Sequence, residues 1–251
     1  MSLSKQIMSN LLEVNDRLIN RIINLVRKTY RIWRPMRKDY RGYCKMNLAH
    51  WLLYHERHIA FNQCYWMGVR ALKNPLDMWV YQEIIYEIKP DIVIEIGSAE
   101  GGSALYFAHL LDILGNGSVI SIDIDRSNYH LKHHRIVTIT GDSSSPETIK
   151  QVQKHCDGRS TLVIHDGDHT REKVLKDLNL YSKFVSLNSY FIVEDGIIDL
   201  FKPGDGIGSP NDGPLKAIEE FLGKNPNFVI DKERERYLLT YNPNGYLKRI
   251  H

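Results

Sequence analysis

Residues 92–103 read Ile92-Val93-Ile94-Glu95-Ile96-Gly97-Ser98-Ala99-Glu100-Gly101-Gly102-Ser103. A β-branched run carrying one acid meets three glycines and then opens into a helix-compatible stretch. A run apolar on both faces reads as a strand buried in a parallel sheet. Glycines at its carboxyl end let backbone approach a ligand, and the helix that follows presents unpaired N–H groups there. This is a strand–turn–helix unit built for a small ligand.

The same texture recurs downstream. Residues 118–122, 136–140, 161–165 and 190–193 are short, apolar and bounded by turn residues, with helical candidates at 102–114, 146–155 and 170–184 between them. Upstream, 76–88 has a helical apolar pattern. Strands alternating with helices predict an α/β, three-layer, Rossmann-like fold around a mostly parallel sheet. After a helix at 215–222, residues 228–231 and 237–241 read as two strands that pair antiparallel, leaving an antiparallel strand at the C-terminal end of the sheet.

Composition narrows the class. The chain has 251 residues, 43% of them hydrophobic, enough for one substantial core. Its charge of +3, from 33 basic against 30 acidic residues, is too balanced for a nucleic-acid protein. Ten Lys or Arg fall within residues 17–45, and apolar residues at helical spacing over 11–32 predict a basic amphipathic helix. Such a helix packs on the domain or a second subunit, or else touches an anionic membrane surface. Cys44, Cys64 and Cys156 fit neither a disulfide framework nor a close metal-ligand spacing, so they read as thiols of a reducing, cytoplasmic compartment. No run approaches a membrane span.

The glycine spacing excludes the dinucleotide fingerprint: Gly97 is followed by Ser98, and the next glycines are Gly101 and Gly102. Glu95 lies inside the turn, where it would repel a pyrophosphate and attract a cationic amino-acid cofactor. That favours the sulfonium of S-adenosylmethionine, with Glu95, Gly97, Ser98 and Ser103 in the cofactor turn. Asp123, ending the second strand, is the acid for a ribose diol. Asp142 and Ser143, ending the third, suit an adenine edge. Each acid alone reads equally as a solvated strand end; their succession at consecutive strand ends is the signal.

The fourth strand delivers Asp166-Gly167-Asp168-His169 and the fifth Glu194-Asp195-Gly196. Converging carboxylates repel unless a cation lies among them, and oxygen ligands without thiolates indicate Mg²⁺, with Mn²⁺ or Ca²⁺ as alternatives. Asp166, Glu194 and Asp195 are the candidate ligands. A hydroxyl on such a cation is acidified, so His169, three residues beyond Asp166, is the candidate base. Its other reading is a polar cap or a hydrogen-bond partner of a ligand. Asp168 is assigned to support or substrate contact, and the Gly/Pro-rich loop at 203–214 either closes over the site or is a surface connection.

At these residues the sequence resembles the cephalosporin hydroxylase-like group of class I methyltransferases, with relatives that methylate rhamnosyl and macrolide sugars. The resemblance rests on Trp66-Met67-Gly68-Val69, Asp77-Met78-Trp79-Val80-Tyr81-Gln82-Glu83, the glycine turn through Phe107, residues 166–169 and 193–195, and the segment from Arg234 to Thr240. It implies a seven-stranded class I methyltransferase fold over 64–251; residues 1–63, a basic helical extension by their own pattern, inherit no function from the family. By the same resemblance, Asp166, Glu194 and Asp195 bind Mg²⁺, His169 is the base, Met67 and Gly68 join the S-adenosylmethionine pocket, and a sugar or glycosylated small molecule is methylated on oxygen by a homo-oligomeric enzyme. No iron triad or flavin signature supports oxygen chemistry. A non-catalytic S-adenosylmethionine-binding partner of another enzyme is the alternative, and the intact carboxylates and His169 speak against it.

Overall fold

The computed structural model describes residues 46–201 and 212–251. The chain divides into two compact units, Met1–Trp51 and Leu52–His251. The basic segment at 11–32, Cys44 and most of the loop at 203–214 lie outside the described residues.

Helix α1 (Leu48–His55) runs on through a π-helical turn (Glu56–Ala60) into the short α2 (Phe61–Gln63). Strands β1 (Tyr65–Trp66) and β2 (Val69–Arg70) form a hairpin whose two turn residues, Met67 and Gly68, both have positive φ, as the twist of a two-residue hairpin demands. Helix α3 (Pro75–Ile88) starts at Asn74, whose side-chain oxygen accepts from the Leu76 N–H, with Pro75 at the first helical position.

The expected strands then follow as β3 (Ile92–Ile96), β4 (Ser118–Asp123), β5 (Ile136–Thr140), β6 (Thr161–His165) and β7 (Tyr190–Val193). Helices α4 (Gly102–Leu114), α5 (Pro146–Cys156) and α6 (Arg171–Tyr181) connect them, and α7 (Pro214–Leu222), β8 (Phe228–Ile230) and β9 (Tyr246–Arg249) complete the fold. The seven strands lie in the order β5-β4-β3-β6-β7-β9-β8. All pair in parallel except β9, which runs antiparallel to both β7 and β8.

The sheet is therefore the expected one, with its reversed strand supplied by different residues. Residues 237–241 form no strand. Leu238 has φ +63, and the Tyr241 N–H donates to the Asp77 carboxylate rather than to a neighbouring strand. Thr240 Oγ1, Tyr246 Oη and the Asn74 side-chain amide donate to the same buried carboxylate, which ties the start of α3 to this segment. The reversed strand is instead Tyr246–Arg249, whose Tyr246 and Leu247 are fully buried although the other two residues are basic.

Strand alternation sorts the core into two layers. Ile92, Ile94, Ile96, Val163, Phe191 and Val193 pack against α5, α6 and α7. Val93, Leu162, Ile164, Tyr190 and Ile192 pack against α3 and α4. Each such side chain stabilises the fold by ~1.5–3 kcal/mol on burial. The same alternation aims Glu95, between Ile94 and Ile96, at the α3/α4 side. Glu194, following Val193, is aimed the same way. Among the described residues no helix is long and apolar enough to cross a membrane.

Candidate active site

The parallel strands end in register. The Gly97 N–H donates to Ile122 O, the Asp166 N–H to Ile96 O and the Glu194 N–H to His165 O, so the residues that follow emerge side by side at one sheet edge. A cavity of about 400 Å³ opens there, lined by Gly97, Ser98, Ser103, Asp123, Asp142, Ser143, Asp166, His169 and Asp195, with Lys73, Arg70 and Phe61.

Gly97 makes the close approach that the turn requires. Its φ is +82°, and a Cβ there would meet the Asp166 carbonyl oxygen at 2.1 Å. Asp123 fastens the turn from the other side: its Oδ2 accepts from the N–H groups of Ser98 (2.9 Å) and Ala99 (2.8 Å). The Ser98 hydroxyl accepts from Ser121 Oγ and from Arg126 Nη1. Arg126 lies over the Tyr129 ring, which in turn covers Gly101. On the β5 and β6 side, Ser143 Oγ donates to Asp177 Oδ2 at 2.8 Å, and His165 Nε2 lies 3.2 Å from the same oxygen. Asp142 is exposed and accepts from the Ser144 N–H and hydroxyl.

Asp166, His169 and Asp195 each offer a ligand atom, and these atoms lie within 4.8 Å of one another. Asp195 has φ +57, a left-handed conformation that an Asp tolerates better than most residues, and its N–H donates to Asn242 Oδ1. His169 Nε2 lies 3.3 Å from Asp195 Oδ2, while its buried Nδ1 has no hydrogen-bond partner. Burial raises the Asp195 pKa to about 6, although His169 pulls it down.

Glu194 is not part of that trio, and Lys73 links it to Asp166. The Lys73 ammonium, 2% exposed, contacts Asp166 Oδ2, lies 2.8 Å from Glu194 Oε1 and sits 4.0 Å from Glu95 Oε1. Burial alone would lower the Lys73 pKa; Asp166, Glu194 and Glu95 outweigh it and raise the value above that of a free lysine. Burial and the neighbouring Asp166 hold Glu194 well above the usual carboxylate range. Glu95 is fully buried, and burial raises its pKa to about 7 against the pull of Lys73 and the Ser103 hydroxyl. Neither Glu95 oxygen completes a hydrogen bond.

Eleven of the thirteen sequence-derived site residues thus gather around this edge: nine line the cavity, and Glu95 and Glu194 lie behind it, joined through Lys73. Met67 and Gly68 do not line it; Met67 is 74% exposed at the β1–β2 turn. Asp168 is exposed, and its Oδ1 accepts from the Thr170 N–H at the start of α6. Lys73, Arg126 and Asn242 were not found from sequence. Only the Asn-Pro helix start after Lys73 marked its position, and nothing local marked its charge as buried.

A second group, His109, Asp112 and His133, also brings ligand atoms within 4.8 Å. There Arg135 Nε lies 2.5 Å from Asp112 Oδ1, and His109 Nδ1 accepts from the Trp66 indole N–H, so one carboxylate oxygen and one ring nitrogen of this group already have partners.

The profile of the family described as "Rhamnosyl O-methyltransferase/CmcI" matches residues 59–250. A rhamnosyl O-methyltransferase of Mycobacterium leprae (strain TN) is 32% identical over 198 residues, covering 76% of this chain and 85% of its own. One from Mycobacterium tuberculosis (strain ATCC 25618 / H37Rv) is 32% identical over 199 residues, covering 76% and 80%. Among solved structures, CmcI with Mg and SAM superposes with a TM-score of 0.59 at 22% identity, over 87% of this chain and 88% of that one. CmcI in its apo form gives 0.60 at 23%, over 87% of each. The fold is that of these proteins, and the chain belongs to the rhamnosyl O-methyltransferase/CmcI family.

Proposed function

We propose that the protein transfers the methyl group of S-adenosylmethionine to a hydroxyl of a rhamnosyl or related sugar in a reaction that depends on a divalent cation. The observation that carries this reading is the meeting of Asp166, His169 and Asp195 in the same cavity as the glycine turn.

Both groups fit the residues present. The carboxylates of Asp166 and Asp195, with no thiolate beside them, form a donor set suited to Mg²⁺ or Mn²⁺. Glu95, buried and without a completed hydrogen bond beside a turn that only glycine allows at Gly97, suits the ammonium end of a cationic cofactor. When bound, the cofactor supplies an electrophilic methyl group and the cation lowers the pKa of a substrate hydroxyl.

The chain's own residues do the rest. Asp166 and Asp195 hold the cation at the ends of β6 and β7. His169 Nε2 lies 3.3 Å from Asp195 Oδ2, which sets the imidazole beside the cation site as the base for the hydroxyl proton. Asp123 and Ser98 hold the turn against the cofactor. The sugar as acceptor is supported by the relatives at 32% identity, which are named for a rhamnosyl substrate.

Methyl transfer from labelled S-adenosylmethionine to a panel of rhamnosides and other glycosides, with Mg²⁺ and then with EDTA, tests the reading. Turnover that EDTA and Asp166→Asn each abolish is expected; turnover surviving both refutes the metal's role. Tight cofactor binding with no transfer to any glycoside would favour a non-catalytic partner protein instead.

A further inference from the structure

We propose that Lys73 is a built-in counter-cation of the carboxylate cluster, competing with the divalent cation for Asp166 and thereby setting how tightly that cation binds. The inference rests on the metal reading above and adds a residue that it does not use.

Lys73 is delivered to the cluster by a fixed backbone. The Ala71 N–H donates to Cys64 O on one side, and on the other Asn74 caps α3 while its amide donates to Leu239 O. The side chain therefore enters from the α3 side, the side to which strand alternation sends Glu95 and Glu194. It is 2% exposed and its ammonium meets three carboxylates, those of Asp166, Glu194 and Glu95. A buried carboxylate without a cation is strongly unfavourable, and neither glutamate has another cation in an ion pair among the described residues. Lys73 is thus what lets the cluster fold before a metal arrives.

The same contact works against the metal. Asp166 Oδ2 already bears the ammonium, so a dication binding Asp166 lies next to a positive charge that cannot retreat into water. Lys73 also engages Glu194, 2.8 Å from its Oε1. Neutralising Lys73 should leave the cluster more negative and more dependent on metal; a residue that merely positioned Asp166 would give the opposite sign.

The test is Mn²⁺ binding by calorimetry, with thermal melts with and without Mn²⁺, on the wild type, Lys73→Met and Lys73→Arg, with Asp195→Asn as the control for the site. Lys73→Met is expected to melt lower than wild type without metal, to bind Mn²⁺ at least ~10-fold more tightly, and to gain more in melting temperature from it. Lys73→Arg keeps the charge and should bind Mn²⁺ close to wild type. Where Lys73→Met does not fold alone, the paired variant Glu95→Gln with Lys73→Met, which removes a buried charge together with its partner, carries the same comparison. Binding at or below wild-type strength in the neutral variants overturns the competition alone. Absence of Mn²⁺ binding in every form, wild type included, overturns the metal reading and the competition with it.

Discussion

Replacing Gly97 with alanine tests whether the glycine turn and the metal-binding strand end form one rigid body. The new Cβ would lie 2.1 Å from the Asp166 carbonyl oxygen, 2.5 Å from its carbonyl carbon and 2.7 Å from Gly167 Cα. All three are backbone atoms and cannot rotate away. Ordinary contact begins near 3.4 Å, so β3 and the Asp166 segment must part by about 1.3 Å. A positive φ adds ~1–2 kcal/mol for any residue with a Cβ, and the overpacking ~1–3 kcal/mol more. Gly115→Ala is the matched control: its φ is +78° and nothing lies within 4 Å of the added carbon, so it carries the φ cost alone. With about 2–4 °C of melting temperature per kcal/mol at this size, the overpacking alone should make Gly97→Ala melt at least ~2 °C below Gly115→Ala. A shift of about 1 Å in a group holding a reacting centre costs ~10²-fold in rate. Gly97→Ala should lose that factor in kcat/KM while Gly115→Ala keeps wild-type kinetics, as read by thermal melts and a labelled-methyl assay. Equal melting temperatures and equal kcat/KM in the two variants would refute the coupling of the turn to Asp166.

Asp77→Ala removes a carboxylate that accepts from Thr240, Tyr241, Tyr246 and Asn74; a loss of ~3 kcal/mol or more is expected in a denaturant titration, because four buried donors are left without an acceptor. The pKa of Glu95, raised by burial to about 7, makes the ligand-free protein lose stability from this group as pH rises from about 4.5 to 7, since the folded state there binds more protons than the unfolded one. Cofactor binding should therefore strengthen across that range in calorimetry, and Glu95→Gln should flatten the profile; an unchanged slope in Glu95→Gln would remove Glu95 from the cofactor site. His169→Ala should lower kcat by ~10²–10⁴-fold with little change in Mn²⁺ affinity if the imidazole is the base. A weakening of Mn²⁺ binding that matches the loss in kcat would make it a ligand instead.

The β3-to-β7 core was legible because each strand is a short β-branched or aromatic run bounded by turn residues, a pattern that a doubly covered parallel sheet requires at every position. The chemistry was legible by the same logic, since parallel strands in register bring their following residues to one edge. Asp123, Asp166 and Asp195 could therefore be grouped without any contact information. Lys73 escaped because its partners lie on other strands far along the chain, and a single lysine before a helix cap looks like any exposed one. The last strand escaped for another reason. Residues 237–241 carry a better strand composition than Tyr246–Arg249, but Asp77 captures the Tyr241 N–H that a strand there would need, and the chain turns at Leu238 instead. A buried acid belonging to α3 decided which segment entered the sheet.

The place of β9 bears on the order in which the molecule can be assembled. Tyr246–Arg249 lies between β7 and β8, so β8 is synthesised before the strand it pairs with exists. Asn242, which holds the Asp195 backbone, belongs to the same late segment. A nascent chain halted at Phe228 would carry every carboxylate of the cluster yet lack the strand and the amide that set Asp195 in its left-handed conformation. Metal affinity in this protein should therefore appear late in synthesis, and a chain truncated before Asn242 should fail to chelate even with β3 to β7 intact.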